Sequence, residues 1–309
     1  MANKVVILFS GQGAQKVGMG KDLVEAFPGA KALFDKADAA LCRTLSSVMF
    51  EGPADELMRT GNCQPALYLH GLACLKVLKE KLPDLEIVTA AGLSLGEFTA
   101  HAAAETFSFE DGLKIVEQRG AFMEEACNST EGAMAAMIGG DEEAVKTLAA
   151  DCDVDVANFN AIGQIVVSGS VEGVDKAVAG AKERGIRMAK KLKVAGAYHS
   201  RLMQTAQDKL APVLATANIS MPSVPVYSNY NATAVADTAE IRETLEKQVT
   251  GSVRWTESMQ AAIAAGNTTF IELGPGKVLA GLMGRIDKTV KVHSIDDVAS
   301  LEAVIAELS

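Results

Sequence analysis

Along this chain, short apolar runs alternate with longer segments in which apolar residues return every three or four positions. Lys4–Ser10 and Glu86–Ala91 have strand length, and their near-continuous apolar character is that of strands buried on both faces. Pro65–Lys81, Glu97–Ala104 and Phe109–Cys127 carry the helical period,. Further on, Ser200–Ala217 reads as a helix, and Val224–Ser228, Thr268–Leu273 and Val290–Ile295 read as strands. Strands alternating with helices predict an α/β protein whose parallel sheet is flanked by helices on both faces.

The rhythm changes between residues 130 and 196. Gly132–Gly139 is a short apolar run, and Asp141–Ala150 is a helix opening on acidic residues. Val154–Phe159 and Gln164–Ser168 are two strands joined by Asn160-Ala161-Ile162-Gly163. Glu172–Arg184 is a second helix, and Arg187–Leu192 a closing strand. The order β-α-β-β-α-β is that of a ferredoxin-like α+β unit able to bury its own core. We therefore expect a small domain over 130–196, inserted into a large domain made of 1–129 and 197–309.

Composition narrows the function. The chain has 309 residues, 49% of them hydrophobic but only 5% aromatic, so its interior must be aliphatic and rich in alanine. A net charge of −10 argues against nucleic acid, because phosphate binding needs a basic surface,. No apolar run is long enough to span a membrane, and no signal peptide is visible at the N-terminus,. The five cysteines are odd in number and lack C-x-x-C spacing, so neither a disulfide framework nor a metal site is expected,. A reducing compartment follows.

The chemistry centres on Gly92-Leu93-Ser94-Leu95-Gly96, a G-x-S-x-G turn between a strand and a helix. Such an elbow presents its serine at a turn too sharp for side chains, with the next helix aiming its N-terminus at the reaction centre. A serine nucleophile needs a base, and there are four histidines,. His101 is seven residues past Ser94, about 10 Å down the same helix. His70 sits on an Ala/Leu-rich helix as a packed core residue, and His293 falls on a terminal strand as a surface or edge residue. His199 follows Gly196-Ala197-Tyr198, read as a flexible stretch, and precedes a helix whose dipole would favour a neutral imidazole,. It is the favoured base. Phe9-Ser10-Gly11-Gln12-Gly13 follows the first strand, where α/β proteins bind ligands, and lacks the third glycine of a dinucleotide loop,. Glu272-Leu273-Gly274-Pro275-Gly276 is either a plain turn or a second site loop. Arg119 shares the apolar helix face of Val116 and Met123, so it is either a structural ion pair or a clamp for a substrate carboxylate,.

Together, "FSGQGAQKVGMG", "GLSLGEF", "VEQRGAFMEEA", "DVANFNAIGQIVVSG", "GAYHSRLM", "SVRWTESM" and "ELGPGKVLAGL" resemble, nearly end to end, the malonyl-CoA:acyl carrier protein transacylases of type II fatty acid synthesis. The resemblance implies a hydrolase-like α/β core carrying the ferredoxin-like insertion. It implies a malonyl ester on Ser94, with His199 as base oriented by the main-chain carbonyl of Gln248. Backbone amides of Gln12 and Leu95 would form the oxyanion hole, and Arg119 would hold the malonyl carboxylate. Met123 and Tyr198 would wall the acyl pocket. Leu93 replaces the histidine common before the serine and is similar to plant-plastid and cyanobacterial forms. Ala161-Ile162 stand where many relatives carry Ser-Pro.

These implications describe a ping-pong acyltransferase. It would have no bound cofactor, malonyl-CoA and phosphopantetheinylated acyl carrier protein as substrates, and a monomeric state. Its home would be the cytoplasm, or the plastid stroma in a plant or alga. The alternative is a serine esterase or thioesterase using the same Ser94–His199 pair. An acidic carrier protein would need a basic patch, and Lys182, Arg184, Arg187, Lys190, Lys191 and Lys193, concentrated in the last third of the small domain, are either that patch or a plain solvated strand and helix face.

Overall fold

The computed structural model describes residues 4–308; the outermost residues of the large-domain boundaries, 1–3 and 309, lie outside this range. Its strands, in chain order, are β1 (Lys4–Phe9), β2 (Glu86–Gly92), β3 (Gly132–Ile138), β4 (Asp155–Ala161), β5 (Gln164–Ser170), β6 (Met188–Lys191), β7 (Thr269–Leu273) and β8 (Lys291–Ile295). β2, β1, β7 and β8 form a parallel sheet in that order, and β4, β5, β3 and β6 an antiparallel one. No helix among the described residues is long and apolar enough to cross a membrane.

β1 explains why the parallel sheet is covered on both sides. Val5, Ile7 and Phe9 enter one buried cluster with the helix Thr60–Lys81, while Val6 and Leu8 enter another with Trp255, Met259 and Phe270. Each fully buried aliphatic side chain contributes roughly 1.5–3 kcal/mol. Phe9 pairs with Gly92 on one side and with Leu273 on the other. The carboxyl ends of three strands therefore converge where "SGQG" and "GLSLG" begin.

In the antiparallel sheet, Ala133, Ala135 and Met137 of β3 pack under the helices Glu142–Asp151 and Val171–Gly180. The opposite face carries Met134 and Val166 toward the parallel sheet's carboxyl edge. The antiparallel sheet is tied to the loop before the helix Trp255–Ala264 at Val253, whose N–H donates to Ala157 O (2.8 Å) and whose carbonyl accepts from Phe159 N (2.9 Å).

Several expectations need correction. Val224–Ser228 is no strand: Val226 makes only a bridge to Ala90, because Pro222 and Pro225 remove the donors a ladder needs,. The helix expected from Pro65 begins at Thr60. Pro65 has no N–H for the carbonyl four residues back, and that carbonyl, Gly61 O, accepts from Arg43 Nη2 (3.2 Å) instead,. Glu172–Arg184 divides into the helix Val171–Gly180 and a 3-10 turn, Lys182–Arg184. Ser200–Ala217 opens with the 3-10 turn Arg201–Met203 before the helix Gln204–Thr216. The stretch before His199 is buried rather than loose. A Cβ on Gly196 would lie 2.4 Å from Cys127 Sγ, so only glycine lets the chain pass there. His293 sits on edge strand β8 but is buried, 3.6 Å from Glu307 of the helix Val298–Leu308 packed over it.

Candidate active site

Ser94 occupies the turn between β2 and the helix Leu95–Ala103 with φ 54° and ψ −108°. A non-glycine residue there is strained by roughly 1–3 kcal/mol, and its surroundings enforce the strain. A Cβ on Gly92 would lie 2.0 Å from the Gly96 carbonyl carbon, and one on Gly96 would lie 2.1 Å from Phe9 O. The two glycines of G-x-S-x-G thus let strand, turn and helix meet at backbone distance. Asn229 ties the turn shut, accepting from Ser94 N (2.6 Å) through Oδ1 and donating to Gly92 O (2.8 Å) through Nδ2.

Of the four histidines, only His199 reaches the serine. Its Nε2 lies 2.8 Å from Ser94 Oγ, and its Nδ1 lies 2.8 Å from Gln248 O. A carbonyl can only accept, so Nδ1 carries the proton and Nε2 is left to take one from the hydroxyl. Burial, then the Arg119 charge, lowers the imidazole to about 4. His101 turns toward Thr106 Oγ1 (3.0 Å), and His70 toward Asp296 O (3.1 Å). Both are fully buried.

Arg119 is 1% exposed and lies over the Phe98 ring, 5.1 Å from its centroid. Its partners are neutral: Nη1 donates to Gln64 Oε1 (2.7 Å), and Nη2 to Gln248 Oε1 (2.8 Å) and Ser94 Oγ (3.2 Å). Among the described residues no carboxylate forms an ion pair with it, so the structural ion pair weighed from sequence is absent. Burial lowers the guanidinium to about 10, partly offset by Glu97. It therefore remains a cation at neutral pH, buried and unneutralised beside a nucleophile.

These groups open on a cavity of about 610 Å³ between the two sheets. Gln12, Ser94, Leu95, Arg119, Met123, Tyr198 and His199 line it, with Met134, Asn158, Asn160 and Val166 from the antiparallel sheet opposite. Leu95 is the first residue of its helix, so its N–H has no intrahelical acceptor; neither it nor Gln12 N donates to a backbone carbonyl,. Tyr198 is anchored by Thr60 Oγ1 (2.7 Å) and Gln12 Nε2 (3.3 Å), and Gln64 Nε2 donates to Met123 Sδ (3.4 Å). Gln248 lies behind the cavity wall. The Gly274–Gly276 turn is elsewhere: Glu272 caps the following helix through Leu279 N and Ala280 N, both at 2.9 Å.

The family model of the acyl transferase domain matches residues 6–305. The chain belongs to the acyl transferase family. It is 45% identical over 313 residues to the malonyl CoA-acyl carrier protein transacylase of Bacillus subtilis, covering 99% of this chain and 98% of that one. The structure is similar to that of the malonyl CoA-acyl carrier protein transacylase of Coxiella burnetii, with a TM-score of 0.95, 34% identity, and coverage of 100% and 98%. It is also similar to a malonyl-transacylase solved in complex with a type II PKS acyl-carrier protein, with a TM-score of 0.93, 35% identity, and coverage of 99% and 100%.

Three residues of this acyltransferase site escape sequence reasoning. Gln64 and Asn229 stand 55 and 135 residues from their partners Arg119 and Ser94, and nothing local marks them. Glu97 lies inside "GLSLGEF" and reads as an ordinary acidic residue in a first helical turn. It is instead fully buried, accepting from Gln248 Nε2 (2.6 Å) and Asn229 N (3.0 Å).

Proposed function

We infer that this acyltransferase moves the malonyl group of malonyl-CoA to the phosphopantetheine thiol of acyl carrier protein, serving fatty acid synthesis. The observation that carries the reading is the unneutralised Arg119 guanidinium 3.2 Å from Ser94 Oγ, the same hydroxyl that contacts His199.

His199 Nε2 takes the Ser94 proton as Oγ attacks the malonyl thioester carbon. The negative charge gathers on the carbonyl oxygen and is met by the Gln12 and Leu95 amides at the helix N-terminus. The imidazolium, held by Gln248 O, returns its proton to the departing CoA sulfur. The carrier-protein thiol then enters, loses its proton to His199 and attacks the ester carbon; the malonyl group leaves on sulfur as a new thioester while His199 returns the proton to Ser94 Oγ. Arg119 grips the malonyl carboxylate throughout, adding a charged partner to the neutral amides that hold it. Met123 and Tyr198 wall the acyl pocket. The reaction draws on these side chains, a thioester donor and a thiol acceptor, with no resident cofactor.

The same reading extends to organisation. The β4-β5-β3-β6 order supports a ferredoxin-like small domain over 130–196. The strand–Ser94–helix elbow supports a hydrolase-like large domain over 1–129 and 197–309. A monomer in the cytoplasm, or in the plastid stroma for a plant or algal source, completes it. Lys190 and Lys193 support docking of the carrier protein beside the cavity.

Intact-mass measurement after mixing with malonyl-CoA tests the function. A malonyl adduct, absent in Ser94→Ala and discharged faster by carrier protein than by water, is expected. Discharge to water at the same rate would make the protein a thioesterase, and no adduct would remove Ser94 as nucleophile.

A further inference from the structure

Glu97 is 0% exposed, three residues beyond the nucleophile, and contacts no cation directly. Oε2 accepts from both Gln248 Nε2 and Asn229 N, while Oε1 has no partner. Gln248 Nε2 donates a second time, to Ser94 O (3.0 Å). A glutamine amide has two ends of almost equal shape, and its partners decide which end points where. Two acceptors at one end fix the NH2 there and leave Oε1 facing Arg119 Nη2 at 2.8 Å. Turned over, the amide would set NH2 against a guanidinium and oxygen against two other oxygens.

We propose that Glu97 is a positioning residue: it fixes the direction of the Gln248 side-chain amide, and through it holds Arg119 Nη2 at Ser94 for the acyl carboxylate. The proposal rests on the clamp role of Arg119 inferred above. Burial pushes the Glu97 carboxyl up to about 7, against the bonds from Asn229 and Gln248. A protonated carboxyl still keeps one carbonyl-type oxygen to accept from Gln248 Nε2, so the relay operates in either state.

The test is acyl loading from malonyl-CoA and from acetyl-CoA, compared across variants of the whole enzyme. Glu97→Ala should lower malonyl kcat/KM by roughly 10²-fold and acetyl loading far less, collapsing the preference. Glu97→Gln can place its carbonyl oxygen where Oε2 stood and should restore most of the loss. Gln248→Met, which keeps the main-chain carbonyl used by His199, should lose malonyl preference as Glu97→Ala does, and it carries the test if Glu97→Ala does not fold. Because both act through one group, Glu97→Ala with Arg119→Ala should load malonyl no worse than Arg119→Ala alone. Equal loss with both donors in Glu97→Ala and Gln248→Met, or multiplied losses in the double variant, would overturn the proposal while a selective Arg119→Ala left the clamp intact. Equal loss with both donors in Arg119→Ala would overturn the clamp, and the Glu97 relay with it.

Discussion

Arg119 donates to Ser94 Oγ across 3.2 Å, so a buried cation and a nucleophile share one hydroxyl. The serine accepts from the guanidinium while donating to His199. The same contact puts a cation next to any acyl group that Ser94 carries.

A charged acyl group is therefore favoured over a neutral one. Arg119→Ala should cut malonyl transfer by about 10²–10³-fold, since removing one member of a desolvated charge pair costs on the order of 2–5 kcal/mol. Acetyl transfer should be spared or raised. Arg119→Lys should rescue little, because a lysine cannot hold Gln64, Gln248 and a carboxylate in one plane. Steady-state rates with the two donors check this.

The elbow makes a stability prediction. A methyl group at Gly92 or Gly96 would stand about 2 Å from main-chain atoms that cannot yield without moving β1 or the Ser94 helix. Either Gly→Ala change should cost roughly 3 kcal/mol or more, and lose Ser94 loading with it. Urea denaturation and a malonyl-loading assay on each variant test both parts.

Acid should destabilise the fold well before general carboxylate titration. Burial holds His199 and His70 to about 4 and His101 to about 3, against 6.5 for each when unfolded. As pH falls from 6.5 toward 4, the unfolded chain binds up to three protons that the folded chain refuses. Glu97 acts in the opposite sense: at about 7 rather than 4.5 it keeps a proton that the unfolded chain releases. Its stabilising share is full below 4.5 and is lost as pH rises through 7. The net is about two protons, a slope of roughly 3 kcal/mol per pH unit at its steepest. Unfolding free energies that stay flat between pH 7 and 5 would contradict the buried neutral imidazoles.

Carrier-protein docking can be sought on the small sheet. Arg184 and Lys191 are already paired, with Asp151 (2.5 Å) and Asp175 (2.7 Å). Lys190 lies opposite Ala136 on the sheet face that also carries Met134, and Lys193 lines the cavity itself. Lys190→Glu with Lys193→Glu should raise the KM for carrier protein by about tenfold at low ionic strength, an effect that shrinks in salt. An unchanged KM would exclude docking on this face.

What depends on near neighbours was legible in the order of residues. Strand and helix periods placed the elbow, the β-α-β-β-α-β order outlined the small sheet, and Arg119 stood out as a cation on an apolar helix face. Weighing the four histidines favoured His199. Proline chemistry defeated the reading of Val224–Ser228, where an apolar run lacked the donors to become a strand. Tertiary structure alone decided the partners. Gln64, Glu97, Asn229 and the side chain of Gln248 are polar residues whose meaning lies in hydrogen bonds spanning 55 to 154 residues of chain. Hydrophobic periodicity records which face is buried, not which distant donor a buried oxygen will meet. That pairing exists only once the helices close over β1 and water is gone.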